Sequence, residues 1–263
     1  MKRILVTGGA GFIGSNLIKK LLTLDQYRIY SIDNFDPFYS RLQKANNLKE
    51  ITNHPNFTFI EGDISDNAAL QQAAGVDVII HLAAKTGVRP SIHDPRSYYE
   101  VNVQGTQNML EFARIQNVRQ FIFASSSSVY GINKNLPWKE DDRLLPISPY
   151  AASKLSSEML GHVYSHLYGI RFLALRFFTV YGPSQRPDLA IHKFFKSILQ
   201  EKPIPVFGDG STSRDYTFVE DIVSGIISSI TYTNSLYEII NLGNHHGIPL
   251  SELISSIETI CNK

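Results

Sequence analysis

The chain has 263 residues, 43% hydrophobic and 19% charged, with a formal charge of +1. These values exclude a disordered charged chain and any field strong enough to hold nucleic acid or an anionic membrane. One cysteine, Cys261, excludes an intrachain disulfide, and the apolar run Ile4, Leu5, Val6 is too short for a secretory signal or a membrane helix, so the expected setting is the cytoplasm.

Residues 4–6 read as a buried strand ending in glycine. From Phe12 onward, Ile13, Leu17, Ile18, Leu21 and Leu22 recur at helical spacing. Strands are expected at 28–33, 57–60 and 76–81, with helices at 40–51 and at 66–74, the latter capped by Asp66. A long helix over 97–116 precedes a strand at 120–124. A second long helix over 149–168 stops at Gly169, and a strand follows at 171–178. This alternation predicts an α/β fold: a doubly wound parallel sheet with helices on both faces. After Thr179 the rhythm breaks. A loop at 181–187, a helix at 190–200, a strand at 204–207, a polar turn at 208–213, a helix from Val219, a strand at 238–242 and a helix from Ser251 are expected.

The run Thr7, Gly8, Gly9, Ala10, Gly11, Phe12, Ile13, Gly14 lies where the first strand turns into the first helix. Gly8 permits the tight turn, Gly11 lets the backbone approach a pyrophosphate at the helix N-terminus, and Gly14 lets helix and strand pack closely. Asp33 ends the second strand about 20 residues on, where a carboxylate binds ribose hydroxyls and repels a 2′-phosphate, which favours NAD over NADP. Asp63, at the end of the third strand, reads either as an acceptor for the adenine amino group or as a helix cap. The expected organisation is a Rossmann-like NAD-binding domain over 1–178, to whose sheet part of 215–247 returns. A smaller C-terminal substrate-binding lobe over 179–263 completes it and ends early.

Tyr150 and Lys154 are four apart on the second long helix and share a face. A tyrosine needs its pKa lowered from about 10 to act as a base near neutrality, and a neighbouring ammonium and a nicotinamide cation both favour the phenolate. Such a phenolate takes a proton from a hydroxyl as hydride leaves the same carbon. Ser125, Ser126, Ser127 and Ser128 follow the 120–124 strand at its carboxyl end, where open α/β sheets bind ligands.

The chain resembles the extended short-chain dehydrogenase/reductase enzymes that act on nucleotide sugars. The matching segments are the glycine run; His81, Leu82, Ala83, Ala84; Ser125 through Ser128 with Val129, Tyr130 and Gly131; Tyr150 with Lys154; Leu175 through Pro183; and Arg214 through Val219. The resemblance implies Ser126, Tyr150 and Lys154 as the catalytic set. It implies an NAD site lined by Gly8, Gly11, Phe12, Ile13, Gly14, Asp33, Asn34, Asp63, Ile64, Leu82, Ala83, Ala84, Lys85, Asn102, Ser125, Tyr150, Lys154 and Phe177.

Dehydratases and decarboxylases of that family carry an acid just after the catalytic serine or threonine, whereas here Ser127 and Ser128 stand there. The resemblance therefore implies 4-epimerisation of a UDP-sugar and is greatest to the UDP-glucuronate 4-epimerases. Ser126, Ser127, Ser128, Thr179 and Arg186 would meet the sugar, with Arg186 on the uronate carboxylate and Arg89 as a second cation. Arg214 would meet the diphosphate, and Pro205, Val206 and Phe207 would flank the uracil. A neutral UDP-glucose or UDP-N-acetylglucosamine 4-epimerase, or an inactive NAD-binding scaffold, are the alternatives. In that family the two long helices pair across a two-fold axis, so the resemblance implies a homodimer; the alternative is that their apolar surface packs on the sheet. His162 and His166 lack the glutamate of a metalloprotease pattern, and no metal is expected.

Overall fold

The computed structural model describes residues 1–204, 206, 210 and 212–263. In chain order the elements are β1 (Lys2–Thr7), α1 (Phe12–Thr23), β2 (Tyr27–Asp33), α2 (Arg41–Leu48), β3 (Phe57–Glu61), α3 (Asn67–Gln71), β4 (Val78–His81), α4 (Val88–His93) and α5 (Pro95–Tyr98). A π-helical turn (Tyr99–Gln104) runs on into α6 (Gly105–Ile115). There follow β5 (Gln120–Ser126), a 3₁₀ turn (Ser127–Tyr130), α7 (Pro149–Tyr168), β6 (Arg171–Phe177), β7 (Thr179–Tyr181), α8 (Ala190–Leu199), β8 (Ser213–Phe218), α9 (Val219–Ser229), β9 (Tyr237–Leu242), β10 (Gly247–Pro249) and α10 (Leu250–Cys261).

Seven parallel strands pair in the order β3-β2-β1-β4-β5-β6-β9. The order reverses between β1 and β4, which opens a crevice at the carboxyl ends of the strands. Apolar clusters cover both faces. One centres on Leu17, Leu21, Ile122, Leu173 and Ile222, the other on Leu5, Ile79, Leu110, Phe121 and Phe172. The central strands are accordingly near-continuous apolar runs, as sheets buried on both faces require.

Differences from the sequence reading have local causes. The long helix expected at 97–116 begins as α5, capped by Asp94, and passes through the π-turn, whose one-residue excess shifts the helical face. After Thr179 the structure adds a sheet that was not expected. Strands β7, β8 and β10 form a separate three-stranded sheet, with β8 parallel to β7 and antiparallel to β10. Of the part expected to return to the large sheet, β9 does so, pairing with β6 from Phe172–Tyr237 to Phe177–Leu242, whereas β8 belongs to the small sheet. The expected strand at 204–207 and turn at 208–213 fall largely outside the described residues. Helix α7 matches its expected bounds because both stops are local: Ser148 caps its N-terminus and Gly169 takes the left-handed conformation at its end. Among the described residues no helix is long and apolar enough to cross a membrane.

Candidate active site

A cavity of about 540 Å³ opens at the carboxyl ends of β1–β6. Its wall contains Gly8, Gly11, Phe12, Ile13, Gly14, Asp33, Asn34, Asp63, Ile64, Leu82, Ala83, Ala84, Lys85, Ser125, Tyr150, Lys154, Phe177 and Arg186.

The glycine turn is shaped for close approach. Gly8 has φ +72°, and a Cβ there would lie 2.9 Å from the Ala83 backbone. A Cβ on Gly14 would sit 2.3 Å from the Gly8 carbonyl oxygen. Helix α1 begins at Gly11 with no side-chain cap, so the amides of its first turn face the cavity. Together with the helix dipole they suit a pyrophosphate.

At the end of β2 the Asp33 carboxylate accepts from the amides of Ala10 (3.1 Å) and Phe35 (2.8 Å). Burial raises its pKa against those hydrogen bonds and the Lys44 charge. At the end of β3, Asp63 accepts from the Asn34 amide at 2.6 Å, the Ser65 amide at 2.8 Å and the Ser65 hydroxyl at 2.6 Å. Burial raises its pKa, but these hydrogen bonds outweigh burial and hold it below the usual range. It caps no helix, since Asp66 caps α3. These features (a side-chain-free cradle, an open helix N-terminus and two carboxylates with spare lone pairs) fit a dinucleotide.

Asn102 stands behind the wall. It accepts from the Lys85 amide at 2.8 Å and donates to the Lys85 carbonyl at 3.0 Å and to the Ser153 hydroxyl at 2.9 Å. It shapes the cavity through the Lys85 backbone.

His81, buried at the end of β4, forms a chain whose direction is determined. Thr106 Oγ1 donates to the Asn102 carbonyl, so it can only accept from His81 Nε2. His81 Nδ1 then accepts from Thr7 Oγ1, which in turn accepts from the Ala83 amide. Burial, reinforced by Lys154, drives the imidazole pKa down to about 3. The unfolded chain, with a histidine pKa near 6.5, therefore binds a proton that the folded chain refuses. Stability carried by His81 is present above about pH 6.5 and drains as pH falls toward 3, by at most about 1.4 kcal/mol per pH unit. His81→Gln should flatten the acid side of a melting-temperature profile between pH 6.5 and 4, and a slope identical to wild type would refute this.

On the catalytic side, the Tyr150 hydroxyl meets Ser126. Ser126 Oγ accepts from the Ser128 amide and donates to Ser128 Oγ, both at 3.1 Å, which caps the 3₁₀ turn. Burial raises the Tyr150 pKa, opposed by Ser126 and the Arg186 charge. Lys154 is buried, with its pKa lowered to about 7; its Nζ donates to the Ala124 carbonyl at 2.7 Å. Among the protein's own groups, burial thus outweighs Ser126 and Arg186 in setting the phenol. A cationic ring seated in the cavity would supply the missing charge.

Arg186 lies at the cavity rim, its Nε and Nη2 paired with the Asp188 carboxylate at 3.0 and 3.1 Å and its Nη1 donating to Thr86 Oγ1. Ser127, Ser128 and Thr179 are half-buried near the ends of β5 and β6, outside the cavity wall. Arg214 is exposed on β8 and donates to the Ser213 carbonyl, and Arg89 sits on α4; neither lines the cavity. The expected uracil neighbours Pro205 and Phe207 lie outside the described residues. His162 packs edge-on against Tyr237.

Sequence reasoning missed Lys44, Tyr39, Thr86 and Tyr98, which also line the cavity. Lys44 donates to the Asp36 carbonyl and covers the Tyr39 ring, while Tyr98 stands edge-on to Tyr150 at 6.3 Å. No local pattern marks them; Tyr39 lies in the loop between Asp33 and α2 that closes one side of the cavity.

Comparison with known proteins matches the family model of the NAD dependent epimerase/dehydratase family over residues 4–243. The chain belongs to that family. It is a Rossmann-like NAD-dependent epimerase/dehydratase. This epimerase/dehydratase is 43% identical over 267 residues to a Bacillus subtilis protein named as an uncharacterized UDP-glucose epimerase, covering 99% of this chain and 83% of the relative. It is 39% identical over 264 residues to the UDP-glucuronate 4-epimerase of Thermodesulfobacterium geofontis, covering 98% of this chain and 80% of the relative. It superposes with a TM-score of 0.94 on the Bacillus cereus UDP-glucuronic acid 4-epimerase, solved with UDP-glucuronic acid and NAD. That match is 38% identical and covers 99% of this chain and 83% of the other.

Proposed function

We propose that this family member interconverts UDP-glucuronate and UDP-galacturonate by oxidation at C4, rotation of the keto-sugar and re-reduction from its other face. The cavity lined by the glycine turn, Asp33 and Lys154 would hold NAD, which would supply a reversible hydride acceptor. Tyr150 accepts the C4 hydroxyl proton and gives it back, while Ser126 hydrogen-bonds the same oxygen. Lys154, with two donors beyond the one spent on Ala124, holds the nicotinamide ribose and lends charge to the phenolate. Asp33 takes the adenosine ribose hydroxyls and the α1 N-terminus takes the pyrophosphate. Ser127, Ser128 and Thr179 meet the sugar and Arg214 meets the diphosphate. Residues 1–178 serve chiefly the cofactor and 179–263 chiefly the sugar nucleotide.

The observation that carries the uronate is Arg186. Its guanidinium acts on Tyr150 electrostatically and already holds one carboxylate, that of Asp188, in a two-point grip. The serine turn beside it bears no acid, and the nearby Glu140 carboxylate is engaged by the Asn241 amide at 2.8 Å. Dehydration and decarboxylation therefore lack their extra acid or base. The same Asp188 contact favours a second reading, a neutral UDP-hexose, because it balances the Arg186 charge internally.

Incubation with UDP-glucuronate, without added NAD, should yield UDP-galacturonate by NMR; conversion of UDP-glucose alone would establish the second reading. Arg186→Ala should lower kcat/KM for UDP-glucuronate by about 10- to 100-fold, the worth of a charged hydrogen bond. Equal losses on UDP-glucose would remove the carboxylate role.

We also infer a cytoplasmic homodimer. Met159, Val163 and Leu167 form an i, i+4, i+8 stripe on α7 that is 47%, 45% and 60% exposed. An apolar stripe of this kind suits pairing with the same helix of a second copy.

A further inference from the structure

Beneath the catalytic residues lies an ion pair that the chemistry above does not use. Glu158 is one turn beyond Lys154 on α7, and Arg176 is the penultimate residue of β6; both side chains are 0% exposed. Arg176 Nε and Nη2 donate to the two Glu158 oxygens at 3.0 and 2.8 Å. Arg176 Nη1 donates to the Tyr130 hydroxyl at 2.9 Å and the Glu140 carbonyl at 3.1 Å. Ser125 Oγ donates to Glu158 Oε1. The Tyr130 hydroxyl donates a hydrogen bond to Asn241 Oδ1 at 2.8 Å, and its ring stacks on Trp138. Two arms reach the active site, through Ser125 and through the backbone of Arg176, while the Tyr130 and Glu140 arms run outward to Asn241 and Trp138. Ser125 precedes Ser126, Arg176 precedes Phe177, and in the sheet register Ser125 pairs with Arg176 and Ser126 with Phe177.

Burying two charges is expensive, and an apolar pair of similar volume stabilises a fold as well or better. Stability therefore does not explain the pair, whereas its position does. We propose that Glu158 and Arg176 are positioning residues that lock the end of β5 against α7, holding Ser126, Tyr150 and Lys154 in mutual register. The proposal rests on the reading of Tyr150 and Lys154 as the acid/base couple.

A second consequence is electrostatic. Lys154 faces Glu158 and Tyr150 on its own helix, neutral His81 on β4, the Phe123 ring and Ala124 carbonyl on β5 and, through Glu158, Arg176 on β6. Glu158 is the carboxylate that sustains its charge against burial.

The test measures kcat, KM and bound NAD across pH on whichever UDP-sugar the wild type converts. The double variant Glu158→Leu/Arg176→Met should fold, retain NAD and keep KM within about threefold while kcat falls about 100-fold, the cost of misplaced groups. Glu158→Gln should in addition move the alkaline limb of kcat to lower pH, because Lys154 then loses its proton earlier. Should either fail to fold, Ser125→Ala leaves the ion pair in place and cuts its tie to the cavity floor. It should lower kcat about tenfold at unchanged KM. Wild-type kcat and pH profile in a folded double variant, or in Ser125→Ala, would overturn the proposal. Tyr150→Phe run alongside separates the two levels. If it is inactive while the pair variants are not, the positioning role falls alone; if it keeps full turnover, the acid/base reading falls and the positioning role with it.

Discussion

Tyr150→Phe should keep its fold and its NAD yet lose epimerisation by about 10²- to 10⁴-fold, the usual worth of a positioned acid/base group. The substitution removes one oxygen and with it the hydrogen bond to Ser126, a small change in a buried ring. The ring's edge-on contact with Tyr98 is retained. The glycine turn, Asp33 and Asp63, which would carry most of the cofactor, do not touch that hydroxyl, so NAD should be largely retained. The check is paired: NAD released on denaturation, and NMR of UDP-glucuronate conversion. Retained turnover would end the assignment of Tyr150 as the base. Loss of NAD together with turnover would mean that the variant reports on the fold and not on the chemistry.

Gly8→Val should have the opposite profile, with cofactor lost first. At φ +72° a β-branched residue costs about 1–2 kcal/mol in backbone strain alone. Its Cβ would also press to 2.9 Å on the backbone nitrogen and Cα of Ala83, which are not free to give way. Ala83 is anchored by its amide to Thr7 Oγ1 and through it to His81. The strain therefore spreads along the turn that would cradle the pyrophosphate. The purified variant should carry no NAD and melt several degrees lower, at about 2–4 °C per kcal/mol for a chain of this size. Stoichiometric NAD in the variant would show that this turn is not the pyrophosphate site.

What could be read in advance follows from how each signal is written into the chain. The glycine turn, Asp33 and the Tyr150/Lys154 pair are encoded within a few residues and lie at strand or helix ends, where spacing alone declares position. The large sheet was legible because its central strands β1, β4, β5 and β6 are mostly apolar runs. The small sheet was not: β7 and β10 have three residues each, and β8 carries Arg214 and Asp215 among its few apolar positions. Helix α4 was hidden by Pro90, which reads as a breaker but sits within its first turn. Lys44, Thr86 and Tyr98 reach the cavity only through tertiary packing. Glu158, four residues past Lys154, reads as an ordinary solvated helix pair until β6 places Arg176 against it.

The seventh strand has a further implication for how the molecule is assembled. Along the chain β9 follows β7 and β8, which pair with each other in the small sheet, and it pairs with β6 in the large one. The strand carrying Arg176 and Phe177 thus owes one of its two neighbours to a segment well beyond it in the chain. Such distant pairing is slow to form and makes the two sheets succeed or fail as one cooperative unit. A defect far out in the small sheet would therefore register at the reacting carbon, and neither half of this molecule should ripen without the other.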